Sequence, residues 1–204
     1  MIAIIDYGVG NLFSLKSSLK QLGLEAVVTA DADTIRKADR LILPGVGAFA
    51  DAMAKLEATG LVPVMKEEAE RKPLLGICLG MQLLFERSFE YGEHLGLGLL
   101  GGEVAPLKED LTDPVCKVPH MGWNRLSLSH PADPVWQGMG EDPYFYFVHS
   151  YYPVPEDSSL VAASCTYGVR FAAAIRRGNL VATQFHPEKS QKLGVQLLKN
   201  FVSL

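Results

Sequence analysis

The sequence is poor in cysteine, in long apolar runs and in net charge, and each shortage excludes a class of protein. Its three cysteines are an odd number without the spacing of a metal site, so we expect neither a disulfide framework nor a metal centre, and we expect a cytoplasmic location. No apolar run reaches the roughly 18 residues that a membrane span requires. The net charge of −4 gives no indication of a nucleic-acid or membrane-surface partner.

The remaining composition is that of an ordinary globular domain. Apolar residues make up 48% and charged residues 21% of the 204 positions. A chain of this length forms one sizeable core, so we expect a single domain over residues 1–204. The N-terminus, MIAIIDYG, lacks the basic segment of a signal peptide and is interpreted as a first buried strand.

Strands and helices alternate along the first half of the chain. Helical spacing of leucines predicts a helix that Asn11 caps and Gly23 ends, and two more helices are predicted near 48–58 and 61–71. The run LGMQLLFER is expected to continue as a helix after Cys78. Short apolar runs predict four strands, at 2–6, 25–30, 40–45 and 73–78. Such alternation is typical of a parallel sheet covered by helices on both faces.

After about residue 95 the pattern changes to strands separated by Gly and Pro turns, followed by a last helix that Ser190 is expected to cap. The predicted fold class is therefore α/β, with a mostly parallel central sheet flanked by helices and an antiparallel β extension.

A cysteine stands at the joint between the fourth strand and the next helix, in GICLGMQ (76–82). The pattern G-x-C-x-G at a strand–helix joint resembles a nucleophile elbow, in which glycines two residues before and after the nucleophile avoid a clash. The helix N-terminus would favour a thiolate at Cys78, and the amide of Leu79 would point at an oxyanion. The alternative is a buried structural cysteine.

Two further motifs supply what a cysteine nucleophile needs. In FHPE, His186 and Glu188 are two residues apart, so in extended chain they project together and the carboxylate orients the imidazole. In PGVG, after the third strand, the amide of Gly47 or its neighbour could face the same oxyanion, because the carboxyl ends of parallel strands meet at one sheet edge. The alternatives are a solvated His–Glu pair and a plain tight turn.

Together these motifs resemble the class I (triad-type) glutamine amidotransferases. The start IAIIDYGVGNLFSL, PHMGWN (119–124) and FVHSYY (147–152) resemble more narrowly the glutaminase subunits of imidazole glycerol phosphate synthase. The resemblance implies a flavodoxin-like amidotransferase fold and hydrolysis of L-glutamine to glutamate and ammonia, with no cofactor.

The resemblance also implies roles for individual residues. Cys78 would be the nucleophile, His186 the general base and then acid, and Glu188 the group that orients it. Gly47 and Leu79 would line the oxyanion hole. The residues implied to hold glutamine are Gln82, Glu90, Ser150 and Tyr151.

A separate partner follows from the same resemblance, because this chain has no room for a second active site. The partner is a (β/α)8-barrel cyclase subunit, which would form a heterodimer with this chain and receive its ammonia. The implied contact residues are Asn11, His120, Trp123, Asn124, Tyr146 and Lys189. We further expect low turnover in the isolated chain, with the PGVG turn reoriented when the partner binds.

Three alternatives stay open at this stage. The aromatic stretch YFYFV (144–148) is also what a strand buried on both faces looks like, and about half of its aromatics are expected to be core residues. The chain could serve another amidotransferase, such as those for anthranilate, carbamoyl phosphate, guanylate or pyridoxal phosphate synthesis. It could also be a non-catalytic regulatory subunit on the same fold.

Overall fold

The computed structural model describes all residues, 1–204, and in the first half of the chain strands and helices alternate as the sequence predicts. The elements of the first part are β1 (Ile2–Ile5), α1 (Leu12–Gln21), β2 (Ala26–Thr29), α2 (Ala32–Lys37), β3 (Arg40–Leu43), α3 (Phe49–Ala58), α4 (Val62–Ala69), β4 (Leu74–Ile77) and α5 (Leu79–Leu83). Those of the second part are β5 (Phe85–Ser88), β6 (His94–Leu95), β7 (Leu100–Pro106), α6 (Leu107–Asp110), β8 (His120–Arg125), β9 (Ser127–Leu128), β10 (Tyr144–His149), β11 (Tyr151–Pro155), β12 (Val161–Tyr167), β13 (Val169–Arg177), β14 (Leu180–Thr183) and α7 (Gln191–Val202).

An eight-stranded mixed sheet forms the centre of the molecule, in the order β2-β1-β3-β4-β14-β13-β12-β9. The strands from β2 to β14 pair in parallel, and β13, β12 and β9 extend the sheet in antiparallel pairing. The predicted fold class is confirmed. Since β14 pairs with β4, the chain that follows β14 leaves the sheet beside the chain that follows β4.

Two smaller sheets complete the structure. One is the antiparallel pair β8–β10, and the other has the order β11-β7-β5-β6. These sheets place segments of the second half beside the carboxyl edge of β4.

The central sheet is buried on both faces, as its nearly unbroken apolar strands predict. In β1, Ala3 and Ile5 belong to one apolar cluster and Ile2 and Ile4 to the other. No helix has the length and apolar character needed to cross a membrane.

The helix after Cys78 is shorter than predicted. It ends at Leu83, and the residues expected to continue it form β5 instead. The amide of Leu97 donates to the Leu83 carbonyl and that of Leu99 to the Leu84 carbonyl, so returning chain satisfies these groups. An apolar run such as LLF is compatible with a helix or a buried strand, and tertiary pairing decided for the strand.

The two predicted helix caps are correct in position and wrong in chemistry. Asn11 and Ser190 occupy the N-cap positions of α1 and α7, but neither side chain makes a capping hydrogen bond. The Ser190 hydroxyl instead donates to the carbonyl of His186 and accepts from the amide of Tyr146. Ser190 therefore ties the FHPE segment to β10.

Candidate active site

Cys78 has a strained backbone at the turn between β4 and α5. Its φ of 53° and ψ of −110° lie outside the regions that non-glycine residues normally adopt. Strain of this kind persists only where surrounding structure imposes it, and it concentrates at functional sites. The side chain is largely buried, and the geometry is that of the nucleophile elbow expected from the sequence.

The flanking glycines are required by space. A Cβ atom on Gly80 would overlap the carbonyl oxygen of Leu43, at the end of β3. A Cβ on Gly76 would lie 2.8 Å from the Leu84 side chain and 3.1 Å from the carbonyl oxygen of Gly80. On the opposite side, a Cβ on Gly45 would lie 2.7 Å from the amide nitrogen of Gly80. The PGVG turn therefore packs directly on the elbow.

The imidazole and carboxylate of the FHPE segment form a buried pair next to this turn. His186 Nδ1 lies 2.8 Å from Glu188 Oε1, and both side chains are almost fully buried. The pairing of β14 with β4 brings them here, and the amide of Cys78 donates to the carbonyl of Thr183 at 2.7 Å. The expected extended geometry is wrong: residues 187–189 form a 3-10 turn, which still brings the carboxylate back to the ring.

The electrostatics of this pair favour a charged imidazole. Since Glu188 can only accept, Nδ1 carries a proton, and Nε2 is buried without a hydrogen-bond partner. Burial lowers the pKa of His186, but the Cys78 and Glu188 side chains outweigh burial and raise it to about 10. His186 is therefore suited to hold a proton taken from the thiol.

One cavity of about 300 Å³ unites most of the predicted residues. It is lined by Val46, Gly47, Cys78, Leu79, Gln82, Glu90, Pro119, Val148, His149, Ser150, Tyr151 and His186. Glu188 lies behind His186 rather than in the cavity wall. Every residue implied to bind glutamine or its oxyanion thus borders the same space as the thiol.

Two polar side chains of the cavity, those of Gln82 and Glu90, form hydrogen bonds with backbone groups. Gln82 Nε2 donates to the carbonyl of Tyr151 at 2.9 Å. The Glu90 carboxylate accepts from the amide of Phe49 at 2.5 Å, and burial raises the pKa of Glu90. Both side chains are therefore oriented without a ligand.

The two residues predicted to donate to the oxyanion, Leu79 and Gly47, lie in different surroundings. Leu79 is the first residue of α5, so its amide has no helical acceptor and is free to face the cavity. Gly47 lies at the exposed tip of the PGVG turn with a φ of +97°, and a Cβ there would meet no atom within 4 Å.

Sequence reasoning missed Gln184 and Tyr7. Gln184 is fully buried, and its Nε2 atom lies 3.6 Å from Cys78 Sγ. Tyr7 is buried and donates to the carbonyl of Pro44 at 2.7 Å, and its pKa is raised by burial and by the nearby Cys78. A polar side chain inside an apolar run, as in VATQF, is the signal that could have found Gln184.

The residues implied to face a partner separate into two groups. Trp123 is 44% exposed and its ring lies 6.1 Å from that of Tyr146. Lys189 Nζ lies 5.9 Å from the Tyr146 ring centroid. These three residues share an accessible surface.

The other three lie further inside. The placement of His120 on a contact surface is wrong: it is buried, and it stacks on Tyr167 at 4.0 Å. Asn124 lies on the same inner face of β8 and binds His120 Nε2. Asn11, half-buried, lines a small cavity together with His186 and Glu188.

The strand β10 is buried on one face only. Phe145, Phe147 and His149 point inward, whereas Tyr144 is exposed and Tyr146 is half-buried. The alternative of a strand buried on both faces is therefore wrong, and the expectation that about half of its aromatics are core residues is confirmed.

Comparison with known protein families gives a match over nearly the whole chain. The family described as glutamine amidotransferase class-I matches residues 3–204. A curated protein of Syntrophotalea carbinolica, "Imidazole glycerol phosphate synthase subunit HisH", is 51% identical over 204 residues and 98% of each chain. The protein of the same name from Moorella thermoacetica is 52% identical over 100% of this chain and 94% of its own.

Solved structures agree on the fold. A crystal structure of a glutamine amidotransferase superposes with a TM-score of 0.73 at 22% identity, covering 100% of this chain and 98% of that one. PurLQS from Thermotoga maritima gives a TM-score of 0.75 at 19% identity over 99% and 97% of the two chains.

Proposed function

Since the chain belongs to the class I glutamine amidotransferase family, we propose that it is the glutaminase subunit of an imidazole glycerol phosphate synthase, with a role in histidine biosynthesis. The observation that carries this function is the cavity in which the strained Cys78 lies beside the buried His186–Glu188 pair. Relatives at about half identity over the full length bear the name of this subunit, which favours it over the amidotransferases of other pathways.

The reaction begins with transfer of the Cys78 thiol proton to His186 Nε2, the buried atom without a partner. The thiolate attacks the carboxamide carbon of glutamine, and the amides of Leu79 and Gly47 hold the resulting oxyanion. His186 then protonates the leaving nitrogen, and ammonia departs. Water hydrolyses the thioester to glutamate and restores the thiol. Glu188 keeps a proton on His186 Nδ1 throughout, so that Nε2 is the atom that accepts the thiol proton and donates it to the leaving nitrogen.

Substrate recognition is assigned to the rest of the cavity wall. Glu90 is a carboxylate that suits the α-amino group of glutamine, and burial of this acid makes a cationic partner favourable. Gln82, Ser150 and Tyr151 hold the remainder of the amino acid, since all three border the space next to Cys78.

The word subunit in the relatives' names implies a partner. We take this partner to be a cyclase with a (β/α)8 barrel, bound as a heterodimer through the surface of Trp123, Tyr146 and Lys189. Ammonia passes to it directly, because in water at neutral pH most ammonia becomes ammonium. A reducing cytoplasm fits the three cysteines, all of which are free.

Co-purification with the cyclase followed by a glutamine-dependent assay tests the function. We expect Cys78→Ala to abolish use of glutamine while the complex still makes product from added ammonia. A complex that uses glutamine equally well with Cys78→Ala, or activity only with the partner of another pathway, would overturn the proposal.

Alkylation separates the enzyme from a non-catalytic subunit. We expect iodoacetamide to label Cys78 faster than an ordinary thiol and glutamine to protect it. Slow labelling without protection would contradict a catalytic role.

A further inference from the structure

Gln184 places a side-chain amide against the sulfur of Cys78. Its side chain is fully buried in the strand-to-turn segment that precedes FHPE, and Nε2 lies 3.6 Å from Sγ. We propose that Gln184 is a further catalytic residue, which donates a hydrogen bond to the Cys78 sulfur and stabilises its thiolate. This inference rests on the proposed function, in which that thiolate is the nucleophile.

The direction of this hydrogen bond follows from the neighbours of the amide. The nitrogen and oxygen of a glutamine amide are assigned from their partners, and a backbone carbonyl can only accept. The carbonyl of Tyr151 therefore takes a hydrogen from Gln82 Nε2, and the second hydrogen of that nitrogen goes to Gln184 Oε1 at 3.0 Å. With its oxygen occupied by Gln82, Gln184 presents its nitrogen to Cys78.

The start of this chain of hydrogen bonds is itself fixed. His149 Nδ1 donates to the same Tyr151 carbonyl at 2.8 Å, and His149 Nε2 accepts from His120 Nδ1 at 2.9 Å. Burial lowers the pKa of both imidazoles, so they stay neutral and keep one donor and one acceptor each. If the nitrogen and oxygen of the Gln184 amide were exchanged, its nitrogen would face Gln82 Nε2, and two buried donors would meet without an acceptor.

The two contacts of the sulfur have opposite preferences. The carbonyl of Val148, 3.7 Å from Sγ, is an acceptor and favours the protonated thiol. Gln184 is a donor and favours the anion. When the thiol proton moves to His186, the sulfur becomes negatively charged and is repelled by the carbonyl oxygen of Val148. The hydrogen bond from Gln184 offsets this repulsion, because the amide keeps both of its hydrogens.

Two variants separate this role from simple packing. Gln184→Met keeps the bulk and removes the donor, whereas Gln184→Glu keeps an acceptor for Gln82 and replaces the donor with a second acceptor. The measurement is the rate of iodoacetamide alkylation of Cys78 between pH 5 and 10. The matched control is Gln196→Met, because Gln196 binds Asn200 on α7 and has no contact with the cavity.

We expect Gln184→Met to move the alkylation midpoint up by about one pH unit and to lower the rate at pH values below the midpoint about tenfold, as for loss of a hydrogen bond to a charged group. Gln184→Glu should move the midpoint further, and the control should match the parent. Variants that melt at the temperature of the parent and retain its alkylation profile would overturn the inference.

If both variants unfold, the side-chain amide nitrogen of Gln184 in the unaltered protein decides the matter. Its NMR shift should follow the alkylation midpoint, and a shift that is constant with pH would overturn the inference. Failure of the proposed function would give a different result from failure of this inference. In that case Cys78 of the unaltered protein would be alkylated as slowly as an ordinary thiol.

Discussion

The turn that carries Cys78 has no space for a side chain at Gly80. We predict that Gly80→Ala lowers the free energy of unfolding by about 3 kcal/mol or more, because the added methyl overlaps the carbonyl oxygen of Leu43 and no flexible group can yield. Urea denaturation measures the loss. The control is Gly60→Ala, where the methyl meets nothing within 4 Å and only a φ of +71° must be tolerated, at about 1 to 2 kcal/mol. Equal losses in the two variants would contradict the close packing of the elbow.

The charged side chain of Glu188 is one of the groups that raise the pKa of His186. In Glu188→Gln one of the groups that raise the pKa of His186 is lost, so the imidazolium is less stable at neutral pH. We predict that kcat for glutamine hydrolysis falls about 10²- to 10⁴-fold while KM changes little, because Glu188 lies behind His186 and outside the cavity wall. Glu156→Gln, an exposed carboxyl in the bend after β11, should leave kcat unchanged. Retention of more than a tenth of the activity would contradict a role for the charge of Glu188 in the reaction.

Local motifs were predictable at this scale, and contacts between distant segments were not. The spacing of GICLG and FHPE is enough to predict an elbow and a His–Glu pair, because each motif lies within five consecutive positions. Gln184 was missed because its partners Cys78 and Gln82 are more than 100 positions away and meet it only through the pairing of β14 with β4.

At the scale of elements, alternation identifies the two faces of a strand without saying which one is buried. In β8, His120 and Asn124 alternate with Met121 and Trp123, and the register with β10 turns the first pair inward. The sequence alone therefore assigned His120 to the wrong side. The same limit explains α5, whose apolar continuation became β5 once β7 was available to pair with it.

Burial of His120 predicts a loss of stability in acid. Its pKa is lowered to about 4 by burial, below the ordinary value near 6.5 that it regains on unfolding. The unfolded chain therefore binds the proton first, and this contribution to stability, complete above pH 6.5, is lost as the pH falls towards 4.

The measurement is the free energy of unfolding at pH 7.5 and at pH 5. We expect the decrease between them to be about 1 to 2 kcal/mol smaller in His120→Gln than in the parent, because this titration is removed and the neighbouring His149 loses one of the groups that lower its pKa. His130→Gln, an exposed histidine in a loop, is the control and should leave the decrease unchanged. An identical decrease in His120→Gln would mean that this imidazole is accessible to protons in the folded state.

The whole molecule has an accessible aromatic surface next to its cavity, and this surface predicts where the partner binds. Trp123 is 44% exposed although it is large and apolar, and such residues dominate binding at interfaces. We predict that Trp123→Ala raises the Kd for the cyclase about 30-fold, measured by titration calorimetry, with little change in the stability of the isolated chain. Leu95→Ala removes a more exposed side chain, from the edge strand β6 of a different sheet, and should not change Kd.

The PGVG turn borders the cavity that contains Cys78. Its inner end is held at Gly45 by Gly80 and by the hydroxyl of Tyr7, whereas its tip at Gly47 is exposed and has open space around it. A donor at such a tip can be brought to the oxyanion by a partner that covers it, so glutamate release should be low in the isolated chain and rise at least tenfold with the cyclase and its acceptor present.

Gly47→Ala isolates the contribution of this tip. The added methyl meets no atom, but a φ of +97° is disfavoured for alanine, so the turn should move away from the observed conformation. We predict that the partner-stimulated rate falls about 10²-fold, as for loss of one oxyanion donor, while alkylation of Cys78 is unchanged. Gly60→Ala again serves as the control for a positive φ in open space. If glutamate is released equally fast with and without the cyclase, the site is already complete in the isolated chain and the tip has no regulatory part in the reaction.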